Sequence, residues 1–245
     1  MKKFLLAILV LLVFQTAFGQ KNVTTFGIQL KPLISSKFFD TGQQDLFGDT
    51  YNLNIKPKLG FNFGMLMRKG FTDNISIEAG INMVRRNYQL TATDQQYDLV
   101  SEMKFSFVGY EIPVQGLLYV QLGKQLFMNA AGGFSFDFYP SSAFSVVADK
   151  QDTLNYDLEQ LSRRNTWGQV TVITNLGVEY RTKEKGYFYL GASLHRSFND
   201  IAETTATYTV NRHSENMKFM LNGNYLTFDI RYFFFEEPER KVRKK

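Results

Sequence analysis

A chain of 245 residues, 44% hydrophobic and 16% aromatic, is long enough for one domain with a sizeable interior. Past the N-terminus no uninterrupted apolar run reaches ~18 residues, which excludes helical membrane spans, and the absence of cysteine excludes disulfides, thiolate metal sites and a cysteine nucleophile. The formal charge of +5 includes two lysines at the extreme N-terminus and a basic tail; the body is nearly neutral, so no nucleic-acid partner is expected.

Met1 to Gln20 reads as a secretory signal. Lys2 and Lys3 supply the charge, Phe4 to Phe14 the apolar segment, and Ala17-Phe18-Gly19 a small-x-small cleavage site. Three parts are expected: a signal peptide (residues 1–19), a β-barrel (20–235) and a basic tail (236–245).

Eight segments of the body alternate with a period of 2, the side-chain period of a strand. The first, about Thr24 to Lys37, sets Phe26, Ile28 and Leu30 against Gln29 and Lys31. The second, about Asn54 to Arg68, sets Leu59, Phe61, Phe63, Met65 and Met67 against Gly60, Asn62, Gly64 and Arg68. In the third, about Asn74 to Thr91, Ile75, Ile77, Ala79, Ile81 and Met83 oppose Ser76, Glu78, Gly80 and Asn82. The fourth, about Ser101 to Leu122, is interrupted by Pro113, where an edge or bulge is expected. The fifth, Leu126 to Tyr139, carries Met128, Phe134, Phe136 and Phe138 opposite Asn129, Ser135 and Asp137. The sixth, about Asn165 to Arg181, has Val170, Val172, Leu176, Val178 and Tyr180 opposite Gln169, Thr171, Asn175 and Glu179. The seventh starts at Tyr187 and runs to about Asn199. The closing segment, Asn224 to Phe235, alternates Leu226, Phe228, Ile230, Tyr232 and Phe234 with Thr227, Asp229, Arg231 and Phe233.

The connections carry the topology. Lys69 to Asp73, Gly123 to Gln125 and Thr182 to Gly186 are short; Phe38 to Leu53, Ala92 to Val100, Pro140 to Arg164 and Asp200 to Glu215 are longer and polar. Strict alternation of long and short suits an outer-membrane barrel with short periplasmic turns and long extracellular loops. The expected fold is therefore all-β: an eight-stranded antiparallel up-and-down transmembrane β-barrel with both termini periplasmic. A soluble barrel, with the same apolar rows as core, is the alternative. Against it, the polar rows are rich in Gly, Asn, Ser and Gln rather than Lys and Glu, which suits a narrow filled interior.

On that reading Phe61, Phe63, Met65, Val172, Leu176, Phe228, Ile230, Tyr232 and Phe234 face lipid. Lys31, Arg68, Glu78, Glu111, Asp137, Glu179, Arg181, Asp229 and Arg231 form a polar network in the lumen, where a lone charge is costly and each needs a partner. Trp167, Tyr139, Phe138 and Tyr88 are expected at the upper interface, and Tyr187, Phe127 and Phe71 at the lower.

The run Gly109-Tyr110-Glu111-Ile112-Pro113-Val114-Gln115-Gly116-Leu117-Leu118-Tyr119 resembles the fourth-strand signature of the PorT-like small outer-membrane β-barrels of Bacteroidota. The resemblance implies an eight-stranded barrel, similar in layout across the mature chain, and an accessory place beside a secretion system.

The remaining constellations are thin. His195 and Ser197 with Glu203 or Glu215 resemble the set of an outer-membrane lipid A deacylase, yet parity puts the pair on the lumen face rather than toward lipid. Arg85, Arg86, Arg163 and Arg164 are candidates for lipopolysaccharide phosphates. Asp45, Asp49, Asp94 and Asp98 have no calcium-loop spacing, and His213 stands far from His195, so no metal or other cofactor is expected. The expected role is non-enzymatic: a structural or accessory subunit of a secretion or barrel-insertion assembly. Its partners would be outer-membrane lipids, lipopolysaccharide and other outer-membrane or periplasmic proteins. A lipid A-modifying hydrolase using His195 and Ser197, or a small porin, is the alternative.

Overall fold

The computed structural model describes residues 23–34, 43–48, 51–151, 154–211 and 213–235. The leader, the basic tail and Asp49 lie outside them. Among the described residues the strands are β1 (Thr24–Ile34), β2 (Gln44–Phe47), β3 (Tyr51–Gly70), β4 (Ile75–Asp94), β5 (Leu99–Gln121), β6 (Leu126–Phe138), β7 (Ala143–Gln151), β8 (Leu154–Arg164), β9 (Gly168–Arg181), β10 (Tyr187–Ser197), β11 (Asp200–Val210), β12 (His213–Asn222) and β13 (Tyr225–Phe233).

The larger sheet runs β1-β13-β10-β9-β6-β5-β4-β3-β2. Strand β1 also pairs antiparallel with β3, from Thr24 opposite Lys69 to Leu33 opposite Gly60. The order therefore returns to its first strand, and every long strand of this sheet has a partner on both sides. Tight turns join β3 to β4, β5 to β6 and β9 to β10 at one end. In the last, Gly186 takes φ +81°, the left-handed conformation that favours glycine.

At the other end the sequence reading of the loops needs correction: thirteen strands are present among the described residues, and the additional ones fall in stretches expected to be loops. The stretches read as loops from Pro140 to Arg164 and from Asp200 to Glu215 fold as hairpins β7–β8 and β11–β12. These associate as a second sheet in the order β12-β11-β8-β7. The hairpin β4–β5 likewise extends through the expected loop to a turn between Asp94 and Leu99, and β2 occupies part of the expected first loop. These segments are rich in Thr, Asn, Asp and Glu, which mimics loop composition. Their alternation still buries Tyr156, Leu158, Ala206, Tyr208, Phe219 and Leu221 against Leu53, Leu90, Phe105 and Phe107 of β3, β4 and β5.

The two ends have opposite cores. Along the lower part of β4 the outward side chains are Ile75, Ile77, Ala79, Ile81 and Met83, and the inward ones Ser76, Glu78, Gly80 and Asn82. Above Arg85 the outward row becomes Asn87, Gln89, Thr91 and Thr93, and the inward row Tyr88, Leu90 and Ala92. Strand β5 changes at the same height, from outward Val114, Ile112, Tyr110 and Val108 to outward Ser106, Lys104 and Glu102. Strand β3 makes the change differently. One extra residue between Lys58 and Phe61 forms a β-bulge, below which odd-numbered side chains point outward and above which they point inward.

The bulge is thus not at Pro113. The register is unchanged across that proline, with Ala79 opposite Val114 and Asn82 opposite Glu111. The aromatic assignments also divide. Trp167 and Phe71 are exposed, whereas Tyr139, Tyr88, Phe127 and Tyr187 point inward by strand parity and pack inside.

The outward apolar band spans nine residues on β4 and from Leu226 to Phe234 on the closing strand, close to the ~9–11 that a tilted strand needs to cross a bilayer. Ile230→Arg, in the middle of the band, should lower folding stability in lipid vesicles by about 2–4 kcal/mol. Thr93→Arg, outward but above the band, should change it little. Equal costs in urea titrations of the vesicle-inserted protein would contradict the boundary.

Candidate functional site

The interior below the polarity switch is built from charges. Lys31, Arg68, Glu78, Glu111, Asp137, Glu179, Arg181, Asp229 and Arg231 all point inward and are at most 9% exposed. Arg86, expected from the sequence to be a candidate for lipopolysaccharide phosphates, joins them at 4%. It shares strand parity with Glu78 and Asn82, which sends it to the face opposite its neighbour Arg85. With Arg86 included, five basic and five acidic side chains are buried at this level among the described residues, so their formal charges cancel.

Seven of the ten form one continuous chain. Arg181 Nε donates to Glu179 at 2.6 Å, and Arg68 bonds the other oxygen of Glu179. Arg68 also reaches Glu78 at 2.9 Å. Arg231 spans Glu78 at 2.6 Å and Asp229 at 2.7 Å, and Lys31 Nζ lies 3.3 Å from Asp229. Asp229 accepts further hydrogen bonds from Ser193, Thr227 and Asn175. Signs alternate along the whole chain, so each buried charge faces an opposite one, as desolvation requires.

Aromatic faces complete the arrangement. Arg68 lies 3.8 Å from the Phe233 ring centre, Arg181 4.0 Å from that of Phe127, and Arg231 4.7 Å from that of Tyr189. Each guanidinium thus exchanges water for carboxylates at its edge and a π face below it. The Tyr189 ring lies over Gly177 and Gly191, where a Cβ would come within 2.2 Å of its hydroxyl oxygen. That hydroxyl donates to Asn175 at 2.7 Å.

A second group sits higher. The Tyr225 hydroxyl is 2.6 and 2.7 Å from the two oxygens of Glu111, Asn62 Nδ2 donates to Glu111 at 3.2 Å, and Arg86 approaches at 3.6 Å. Asp137 accepts from Ser135 and Thr171. His195 is fully buried and stacks on Tyr225 with ring centres 4.1 Å apart. Among the described residues neither of its ring nitrogens has a hydrogen-bond partner, although Nδ1 lies 3.8 Å from the Glu111 carboxylate. Ser197 Oγ is engaged by Gln169 and Thr171 instead, and Glu203 pairs with Lys218 on the second sheet. Among the described residues the acid beside His195 is therefore Glu111, while Ser197 and Glu203 are engaged by other residues.

Above the switch, Tyr51 and Tyr208 pack with ring centres 4.8 Å apart and border a cleft of about 570 Å³ with Asp94, Tyr97, His213 and Glu215. Burial pushes both hydroxyls up to about 12, which keeps them protonated, and that of Tyr51 donates to the Glu215 carbonyl at 2.7 Å. Among the loop acids, Asp45 accepts from Gln43 and Asn54, and Asp94 caps the backbone N–H groups of Gln96 and Tyr97. No group of three or more His, Cys, Asp or Glu among the described residues is placed to hold a metal. Arg164 donates to the carbonyls of Tyr139 and Pro140 at 2.8 and 2.7 Å, while Arg163 is exposed.

A family profile described as outer membrane protein beta-barrel domain matches residues 41–203. No curated protein matches the chain. Among solved structures, the outer membrane protein OprG from Pseudomonas aeruginosa aligns over 89% of this chain and 99% of its own, at 9% identity and a TM-score of 0.47. The outer membrane protease OmpT from Escherichia coli aligns over 90% and 97%, at 11% identity and 0.30. The transport unit of the autotransporter AIDA-I from Escherichia coli aligns over 91% and 94%, at 8% identity and 0.26.

The ion chain gives a direct prediction. Arg68→Met leaves Glu78 and Glu179 short of a partner in a buried site and should cost about 3–5 kcal/mol of folding stability. Lys218→Ala, which removes an exposed pair with Glu203, should cost about 0–1 kcal/mol. Denaturant titration in detergent micelles compares them, and similar losses would show that the interior charges are not interdependent.

Proposed function

The chain belongs to the family of outer membrane protein β-barrel domains, matched over residues 41–203, and from that premise we propose a non-enzymatic accessory role for it. Strands β1, β3, β4, β5, β6, β9, β10 and β13 close as an eight-stranded transmembrane barrel whose interior serves as a structural plug. The second sheet stands outside the cell as a docking platform, and both termini are periplasmic.

The observation that carries this reading is the contrast between the two levels. The membrane level is crossed by the cross-linked chain from Arg181 to Lys31, which suits a rigid support rather than a conduit. The upper level adds five strands that the circuit of pairings does not use, β2 and the four of the second sheet, which among the described residues ends in β7 and β12 as edge strands. Edge strands carry unpaired backbone groups and are ready templates for a partner. The resemblance of residues 109–119 to PorT-like barrels suggests a secretion assembly as that partner. Partners in the membrane include its lipids and lipopolysaccharide.

The alternatives have less support. A hydrolase would need His195 to hold the Ser197 proton, and the serine is bonded to other residues. A porin would need a passage where Arg68, Arg231 and Glu78 now meet.

Two measurements test the proposal. Gentle extraction from native membranes with a C-terminal tag should recover the chain together with other envelope proteins; recovery alone in every detergent would remove the accessory reading. Because the chain has no cysteine, single cysteines report topology. Asn155→Cys should react with an impermeant maleimide on intact cells, and Lys183→Cys only after the outer membrane is opened. The reverse pattern would invert the orientation.

A further inference from the structure

The outward face of β3, β4 and β5 changes from apolar to basic within two rows of residues. Strand register aligns Phe63, Met83 and Tyr110 in one row, and Phe61, Arg85 and Val108 in the next. Above them come Lys58, Asn87 and Ser106, then Lys56, Gln89 and Lys104. Adjacent strands are about 4.8 Å apart and alternate residues about 7 Å, so Lys58, Arg85 and Lys104 stand roughly 8 to 15 Å apart on the sheet, near enough for their long side chains to converge. A groove of about 550 Å³ lies there, bordered by these three side chains and Leu59.

The groove is organised rather than a chance gathering of exposed cations. Ser106 Oγ accepts from Arg85 Nη2 at 3.2 Å, and Asn87 Oδ1 accepts from Arg85 Nε at 3.2 Å. Ser106 donates to the same Asn87 oxygen at 2.7 Å, and Asn87 Nδ2 donates to the Leu59 carbonyl at 2.7 Å. The β-bulge therefore anchors the side chain that aims the guanidinium. No ion pair engages Lys56, Lys58, Arg85 or Lys104 among the described residues. Among the described residues the acids on this face are Glu102 of β5 and Asp45 of β2, both one row above Lys56 and Lys104, and Asp45 is bonded by Asn54. Leu59, 74% exposed, projects from the bulge beside the cations.

We infer that this groove binds the phosphate of a lipid A-class lipid in the outer leaflet, a proposal that rests on the orientation given above. Two lysines and a guanidinium held at one end suit a phosphate, which arginine meets bidentately. The apolar rows directly below, with Phe61, Phe63, Met83 and Val108, supply a wall for its acyl chains, and Leu59 fits between headgroup and chain.

The test uses the full chain in detergent, stripped of lipid and offered bisphosphorylated lipid A, dephosphorylated lipid A or phosphatidylglycerol, with bound lipid counted by native mass spectrometry. The combined variant Lys58→Gln, Arg85→Gln, Lys104→Gln should bind bisphosphorylated lipid A about tenfold more weakly. A control removing three cations at the tight turns, Lys124→Gln, Lys183→Gln and Lys185→Gln, should bind as the parent does. Retained heat-dependent gel migration shows that both variants are folded. Equal loss in both variants, or equal binding of the dephosphorylated lipid by the parent, would overturn the site. Phosphatidylglycerol binding as well as lipid A would overturn the lipid class, and displacement by millimolar inorganic phosphate would make free phosphate the ligand. The cysteine labels at positions 155 and 183 report orientation separately. An inverted pattern beside intact phosphate binding would fault the topology and not the groove.

Discussion

A β-sheet that leaves lipid for water must exchange its faces, and most of this structure follows from how that is done. In the bilayer the apolar row has to point outward and the polar row inward; above it the hydrophobic effect demands the reverse. Strands β4 and β5 keep their side-chain parity and change residue type, so that the apolar residues of β4 move from odd positions (Ile75 to Met83) to even ones (Val84, Tyr88, Leu90, Ala92). Strand β3 keeps its apolar residues at odd positions from Tyr51 to Met67 and turns the backbone over at a bulge. Both solutions fall at one height, and that height also carries the basic groove.

The exchange explains the two unlike cores. Below it the interior is closed by alternating charges on aromatic faces, because a lone ion there would be too costly to bury. Above it β3, β4 and β5 need an apolar cover, and the second sheet provides one with Tyr156, Leu158, Tyr208 and Phe219. Each hairpin of that sheet interrupts a connection between neighbouring membrane strands, β6 to β9 or β10 to β13.

Much of the lower level was legible from alternation alone. The inward placement of Lys31, Arg68, Glu78, Glu179, Asp229 and Arg231 follows from parity within single strands, and the tight turns from short polar breaks. The upper level was obscured because its strands present Thr, Asn and Glu to water and small residues such as Ala202, Ala206 and Ser162 to the core, a pattern close to that of a loop. Arg86 was missed for a related reason: two adjacent arginines look like one exposed patch, yet a strand sends neighbours to opposite faces. The groove itself depends on register between three strands, which no single segment reveals.

The central claim is that β4 passes from lipid to water without changing the direction of its side chains. Nitroxide labels placed singly at Ile77, Ile81, Met83, Asn87, Gln89 and Thr93 in the vesicle-inserted protein would test it, read by collision with oxygen, which concentrates in lipid, and with a water-soluble nickel chelate. The account predicts oxygen-dominated signals at the first three positions and chelate-dominated signals at the last three, with the crossover at Arg85. Chelate access at positions 77–83, or an oxygen-dominated profile continuing to 93, would contradict it.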